Sequence, residues 1–218
     1  MRRHSWNVSV DDAYAIQESL KKYLVRQDTC REIISIGGVD VAYEVSGKRA
    51  CCVITVFSYP DMQLLSHSFF SGETGFPYIP GLFTFREGPL IEQAYKRLET
   101  LPELLIFDGQ GICHPRGIGI ATHMGIFLDI PSVGCAKSRL FGLYNEPGLF
   151  RGDRSPICSG NEIIGCVLRT RDSIKPVLVS QGHRTSLETA VEICLACSGR
   201  YRIPEPVRMA HILAKRYL

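Results

Sequence analysis

No apolar run in this chain approaches the roughly 20 residues that a membrane-spanning helix needs. The charged start Met1-Arg-Arg-His4 has no apolar stretch behind it, so no secretory leader is expected. Internal repeats and low-complexity tracts are lacking, which excludes solenoids and a disordered tail. Charge of one sign is also lacking. The 25 Lys and Arg residues nearly balance 22 Asp and Glu, a net charge of +3 that is compatible with nucleic acid without requiring it. Tryptophan occurs once. Cysteine is not scarce, but its nine residues are odd in number and irregularly spaced, which reads as reduced thiols of a cytoplasmic protein. The CxxC at Cys194–Cys197 lies inside a helical pattern with no second pair, and Cys51-Cys52 alternate across a strand. Core packing accounts for them better than zinc.

What is present is a chain of 218 residues, 45% of them hydrophobic, enough for one domain with a sizeable core. Ala13, Ile16, Leu20, Tyr23 and Leu24 share a face of a helix over 9–26, with Ser9 and Asp12 at capping-box spacing. Strands near 33–44, 50–58 and 62–70 follow, joined closely enough to be antiparallel. A Gly/Pro/aromatic loop spans 72–85. A helix over 86–99, a strand over 103–108, a helix over 117–128 and a strand over 131–136 come next. The polar stretch 144–159 reads as surface loop. Strands near 163–169 and 176–181 form a hairpin. A helix follows Thr185, capped with Glu188, and another follows Pro204 and Pro206. The expected fold is α/β, a single domain over 1–218: a mixed central sheet, three antiparallel strands then parallel ones, with helices on both faces.

Three carboxylates stand where stability alone would not put them. Asp40 shares strand period with Ile34, Ile36 and Ala42 and so points to an apolar face. Asp108 ends the apolar run Leu104-Leu-Ile-Phe107 at a Gly-rich turn. Glu87 opens an amphipathic helix. A half-buried carboxylate costs several kcal/mol unless its charge is offset, and three together repel. A divalent cation removes both problems. Asp40 and Asp108 become neighbours only if the first and fourth strands are adjacent, as in an RNase H-like order.

The segments Gly37-Gly-Val-Asp-Val-Ala42, Pro77-Tyr-Ile-Pro-Gly-Leu-Phe-Thr-Phe-Arg-Glu87, Asp108-Gly-Gln-Gly-Ile-Cys-His-Pro115, Gly134-Cys-Ala-Lys-Ser-Arg-Leu140, Gly182-His-Arg184 and Tyr201-Arg-Ile-Pro-Glu-Pro206 resemble those of endonuclease V, over residues 30–215 and in the right order. The resemblance implies an RNase H-like, metal-dependent endonuclease that acts on deoxyinosine in DNA and nicks the second phosphodiester bond 3′ to the lesion. It implies that Asp40 and Asp108 bind Mg²⁺, with Mn²⁺ as an alternative, and that Glu87 and His211 complete the catalytic site. It makes Tyr78, Ile79 and Pro80 a wedge that enters the base stack.

Gly81, Gly109 and Gly111 would let backbone groups read hypoxanthine, whose O6 acceptor and N1 donor reverse the polarity of adenine. Gly109-Gln-Gly111 is not a dinucleotide fingerprint, since position 114 is His where a third glycine belongs. Lys137, Arg86, His114, Arg116 and His183 are candidate phosphate contacts. The partner implied is DNA containing deoxyinosine, with single-stranded or inosine-containing RNA as the alternative. No membrane partner is implied, and the chain is expected to be a monomer. A non-catalytic inosine reader would have no use for three costly carboxylates, and a generic resolvase-like nuclease would lack the Tyr-Ile-Pro loop.

Overall fold

The computed structural model describes residues 3–29 and 32–218. Met1 and Arg2, from the charged start noted above, and Cys30 and Arg31, at the head of the family-like region, lie outside the described residues. Eight strands form one sheet in the order β3-β2-β1-β4-β5-β8-β7-β6. The strands β1 (Ser35–Tyr43), β2 (Arg49–Ser58) and β3 (Leu64–Glu73) pair antiparallel. β4 (Leu104–Phe107) then joins β1 in parallel, and β5 (Ser132–Ala136) joins β4 in parallel. β6 (Arg154–Ser159), β7 (Glu162–Leu168) and β8 (Val177–Gln181) complete the other half, antiparallel to one another, with β8 on β5. The first and fourth strands are therefore adjacent, in the RNase H-like order.

Helices cover both faces, because β1 and β4 are apolar on both sides. Along β1 the even positions face one layer: Ile36 packs with Val207, and Ala42 with Ala210 and Ala214. These partners lie on α5 (Glu205–Arg216), beside α4 (Leu187–Cys197). The odd positions face the other layer, where Val39 packs with Leu90, Ile91, Ala121 and Met124 of α2 (Phe83–Lys96) and α3 (Ile120–Leu128). α1 (Val10–Leu20) is capped by Ser9, whose hydroxyl accepts from the Asp12 N–H at 3.1 Å. A short 3₁₀ turn over Lys21–Tyr23 then ends the helical run expected to reach residue 26.

Further differences from the sequence reading bear on the site and the sheet edge. α2 starts at Phe83, so Glu87 sits in its second turn instead of opening it. α3 starts at Ile120, after the positive-φ Gly117 has ended the preceding loop. Ser186, not Thr185, caps α4, accepting from the Thr189 N–H at 3.1 Å. β6 lies inside the stretch assigned to loop. It is an edge strand whose proline and exposed residues give no apolar alternation, and only Ile157 is fully buried on it.

One glycine governs how α5 meets the sheet. A Cβ on Gly38 would lie 2.1–2.4 Å from the backbone of Pro206 and Val207. The helix start thus rests directly on β1, and the Thr55 hydroxyl fastens it by donating to the Pro206 carbonyl at 2.9 Å. Gly38→Ala would push α5 outward at an overpacked contact, costing about 2–3 kcal/mol. A thermal melt should fall by roughly 5–10 °C, and a melt unchanged from the parent would refute the close contact.

Candidate active site

The register of two strands creates the site. Val39 pairs with Phe107 across the parallel β1/β4 ladder, and the Asp108 N–H donates to the Val39 carbonyl at 3.1 Å. Asp40 and Asp108 are therefore forced side by side. α5 crosses β1 with His211 above Asp40, its Nδ1 2.7 Å from Asp40 Oδ2. With the proton on Nδ1, the imidazole donates to the carboxylate and Nε2 keeps its lone pair. One donor atom from each of Asp40, Asp108 and His211 lies within 4.8 Å of the others, a group that could hold a metal ion.

Glu87 stands beside this group without belonging to it. α2 carries it in nearly buried, and the Tyr43 hydroxyl donates to its Oε1 at 2.8 Å. Burial, aided by the charges of Asp40 and Asp108, pushes the Glu87 carboxyl up to about 8, with the Tyr43 bond opposing. Burial and then the Asp108 charge raise Asp40 to about 6, with His211 opposing. On the far side, the Lys137 ammonium at the end of β5 donates to Asp108 Oδ2 in an ion pair. The lysine stays 41% exposed, so its charge also faces solvent. Gln110 links the two loops here by donating to the Ser138 carbonyl at 3.0 Å.

A cavity of about 400 Å³ opens next to the carboxylates. Glu87, Asp108, Lys137, Tyr78, Gly81 and Gly109 are among its lining residues. Gly111, expected in the same pocket, is not. A Cβ there would lie 2.1 Å from the Gln181 carbonyl oxygen, so this glycine serves the approach of β8. Gly109 does face the cavity, where a Cβ would lie 2.5 Å from Ile120.

The expected wedge divides into a tip and an anchor. Tyr78 is 64% exposed, with its ring edge-on to Phe83 at 4.9 Å. Pro80 is exposed too, whereas Ile79 is half-buried against Phe76, Leu82 and Phe85. The Leu82 N–H closes a turn on the Ile79 carbonyl at 2.9 Å. Pro80 and Gly81, whose φ is +84°, occupy its central positions as a type II turn requires.

Like Lys137, the other four expected phosphate contacts have partners within the protein. His183 is fully buried, and its Nδ1 accepts from the Val25 N–H at 3.2 Å. His114 is buried, and burial with the neighbouring Arg116 charge lowers its imidazole to about 4. Arg86 donates to the carbonyls of Phe76 and Gly47 and lies over the Tyr43 ring. Arg116 donates to Gln17 and to the Gly81 carbonyl. Sequence spacing does not show the backbone groups that meet these side chains.

Two residues escaped the sequence reading. Tyr43 lies three positions after Asp40, on the opposite face of β1, so nothing local links it to Glu87. Gln17 left a faint signal: it is the one polar residue on the buried face Ala13, Gln17, Leu20 of α1.

The family model for Endonuclease V matches residues 18–212. A curated Endonuclease V from Dictyoglomus turgidum is 46% identical over 208 residues, 95% of this chain and 90% of that protein. The crystal structure of the Streptomyces avermitilis Endonuclease V superposes with a TM-score of 0.92 at 34% identity, covering 98% of this chain and 94% of that one. Endonuclease V from Ciona intestinalis, solved with DNA containing an inosine followed by a ribo-adenosine, gives a TM-score of 0.85 at 27% identity over 96% of this chain and 98% of its own. With its RNase H-like sheet and clustered carboxylates, the chain belongs to the Endonuclease V family and is an endonuclease, a hydrolase of phosphodiester bonds.

Proposed function

We propose that this protein is a metal-dependent repair endonuclease that recognises deoxyinosine in DNA and nicks the second phosphodiester bond 3′ to it. The observation that carries this reading is the Asp40–Asp108–His211 group beside a cavity of about 400 Å³ with the exposed Tyr78 at its rim. The inosine-containing DNA bound by the Ciona relative supports it. In the same reading the chain acts as a single-domain, cytoplasmic monomer. Among the described residues, no helix is long and apolar enough to cross a membrane.

The donor set fits a hard divalent cation: two carboxylates and one imidazole close enough to share an ion, and no thiol among them. Asp40 and Asp108 would hold Mg²⁺ or Mn²⁺. Such an ion, when bound, supplies Lewis-acid polarisation of the scissile phosphate and an activated water. His211 orients Asp40 and keeps a lone pair for a water or the ion. Glu87, steered by Tyr43, is placed to take or hold a proton at its free oxygen. Lys137 offers positive charge to the phosphate from its exposed side. Tyr78 and Pro80 fill the gap that the displaced base leaves in the stack, while Gly81 and Gly109 admit that base to the cavity. Hydrolysis far faster than the uncatalysed reaction needs all of these held before substrate arrives.

A second reading, with inosine in RNA as the main substrate, is favoured by one observation: the Ciona complex carries a ribose after the inosine. Duplexes that differ only by one ribonucleotide at the nick site separate the two. Equal rates support DNA, and strict dependence on the 2′-hydroxyl supports RNA.

The repair reading itself rests on a labelled duplex with one deoxyinosine. Nicking one nucleotide beyond the lesion should require Mg²⁺, fall at least about 10³-fold in Asp40→Ala, and fall about 10²-fold in His211→Ala. Full activity in EDTA would sink it.

Proton linkage gives an independent check. Asp40 and Glu87 have native values of about 6 and 8, above their ordinary ranges, with His211, Lys137 and Tyr43 as facing partners. The native state then holds more protons than the unfolded chain between about pH 4 and 8, so metal-free stability falls as pH rises through that window. Melting in EDTA should drop from about pH 5 to about pH 8. Added Mg²⁺ should raise it more at the higher pH, because the ion replaces protons that are no longer there. A Mg²⁺ increment that does not change with pH would contradict the shared site.

A further inference from the structure

Three side chains from two distant segments converge on a single backbone oxygen behind the wedge. The Gly81 carbonyl accepts from Gln17 Nε2 at 2.9 Å, His114 Nε2 at 3.0 Å and Arg116 Nη2 at 3.0 Å. Gln17 is fully buried on α1, and its carboxamide is completely used. Nε2 also donates to the Ile118 carbonyl at 3.1 Å, and Oε1 accepts from Arg116 Nε at 2.6 Å. The Arg116 N–H donates to His114 Nδ1 at 3.2 Å, which leaves the imidazole proton on Nε2, facing Gly81. The Arg116 guanidinium lies 4.6 Å over the Tyr14 ring, a second tie to α1. Space is tight as well, since a Cβ on Gly81 would lie 2.8 Å from Arg116 Nη2.

A peptide oxygen needs at most two donors for satisfaction. Three, two of them on residues without an exposed surface role, fix the direction of the peptide itself. That peptide is the hinge of the exposed turn, and its local sequence permits the turn without deciding where it points. Loops of this kind lose affinity when ordering entropy falls due on binding, and gain it when the tip is already in place.

We propose that Gln17 is a positioning residue for lesion recognition, holding the Tyr78–Pro80 turn in its penetrating orientation through the Gly81 carbonyl, with Arg116 and His114 as its co-donors. The inference rests on the proposed function and extends it to the N-terminal helix. Gln17 touches neither the carboxylates nor the cavity, so it acts on capture of the lesion and not on the hydrolytic step.

The test uses Gln17→Leu in the full chain, with single-turnover nicking of the deoxyinosine duplex measured across enzyme concentration. The half-saturating concentration should rise roughly tenfold while the maximal rate stays within about twofold. Hydrogen exchange of the free protein should quicken over residues 78–85 and stay unchanged in β1. A lower maximal rate with unaltered half-saturation, or unaltered exchange over 78–85, would overturn the proposal. Should Gln17→Leu not fold, Gln17→Glu keeps an acceptor for Arg116 but has no N–H to give the Gly81 carbonyl, and the same two readouts decide. Absence of nicking by the parent protein would defeat the deoxyinosine reading instead, and exchange over 78–85 would still judge the clamp.

Discussion

Parallel pairing of β1 with β4 is the constraint on which the rest of this structure depends. The Val39–Phe107 register leaves Asp40 and Asp108 no choice but to be neighbours. Two partly buried carboxylates side by side repel, and burial weakens the screening that solvent would give them. Much of the surrounding architecture answers this repulsion. α5 rests on Gly38 so that His211 can reach Asp40, and β5 ends so that Lys137 can reach Asp108. Tyr43 gives Glu87 a hydrogen bond where burial would otherwise leave its carboxyl with little support. The raised proton affinities of Asp40 and Glu87 come first from burial and then from the neighbouring carboxylate charges that these partners only partly offset. A divalent cation is the simplest group to finish the task.

The exposed turn at Tyr78 is built separately from the carboxylates, though both border one cavity. The carboxylates sit on or directly after core elements: Asp40 in β1, Asp108 just past β4 and Glu87 in α2. The wedge belongs to a short turn that by itself would sample many directions. Its rigidity is imported: Ile79 packs into an apolar cluster with Phe76 and Phe85, and Gly81 is gripped from α1 and from the loop after β4. The N-terminal helix, far from the carboxylates in sequence, thereby helps to hold the exposed turn.

The strands and helices were legible where their apolar periodicity was strong. β6 was not, because an edge strand with one buried side chain has no periodic signal to offer. Asp40, Asp108 and Glu87 were visible as carboxylates in costly places, and the tight group proved to be two of them with His211. The cations misled. Arg86, Arg116, His114 and His183 have the residue types that meet phosphate, yet backbone carbonyls and burial engage them. A carbonyl acceptor carries no residue identity, so sequence could not reveal it. Gly111 misled similarly: its need for close approach was real, but the approaching chain is β8 and not a base.

By itself the sequence determined the alternation of elements, the apolar faces, the Pro-Gly turn behind Tyr78 and the presence of acids that demand a counter-charge. These follow from local sterics and from the period of side chains along a strand or helix. Tertiary structure alone decided which acids meet, which way the Gly81 peptide points, and that Tyr43 and Gln17 matter. Those are contacts between residues 33 to 101 positions apart. They exist only once the β1/β4 register and the seating of α1 and α5 have brought the segments together.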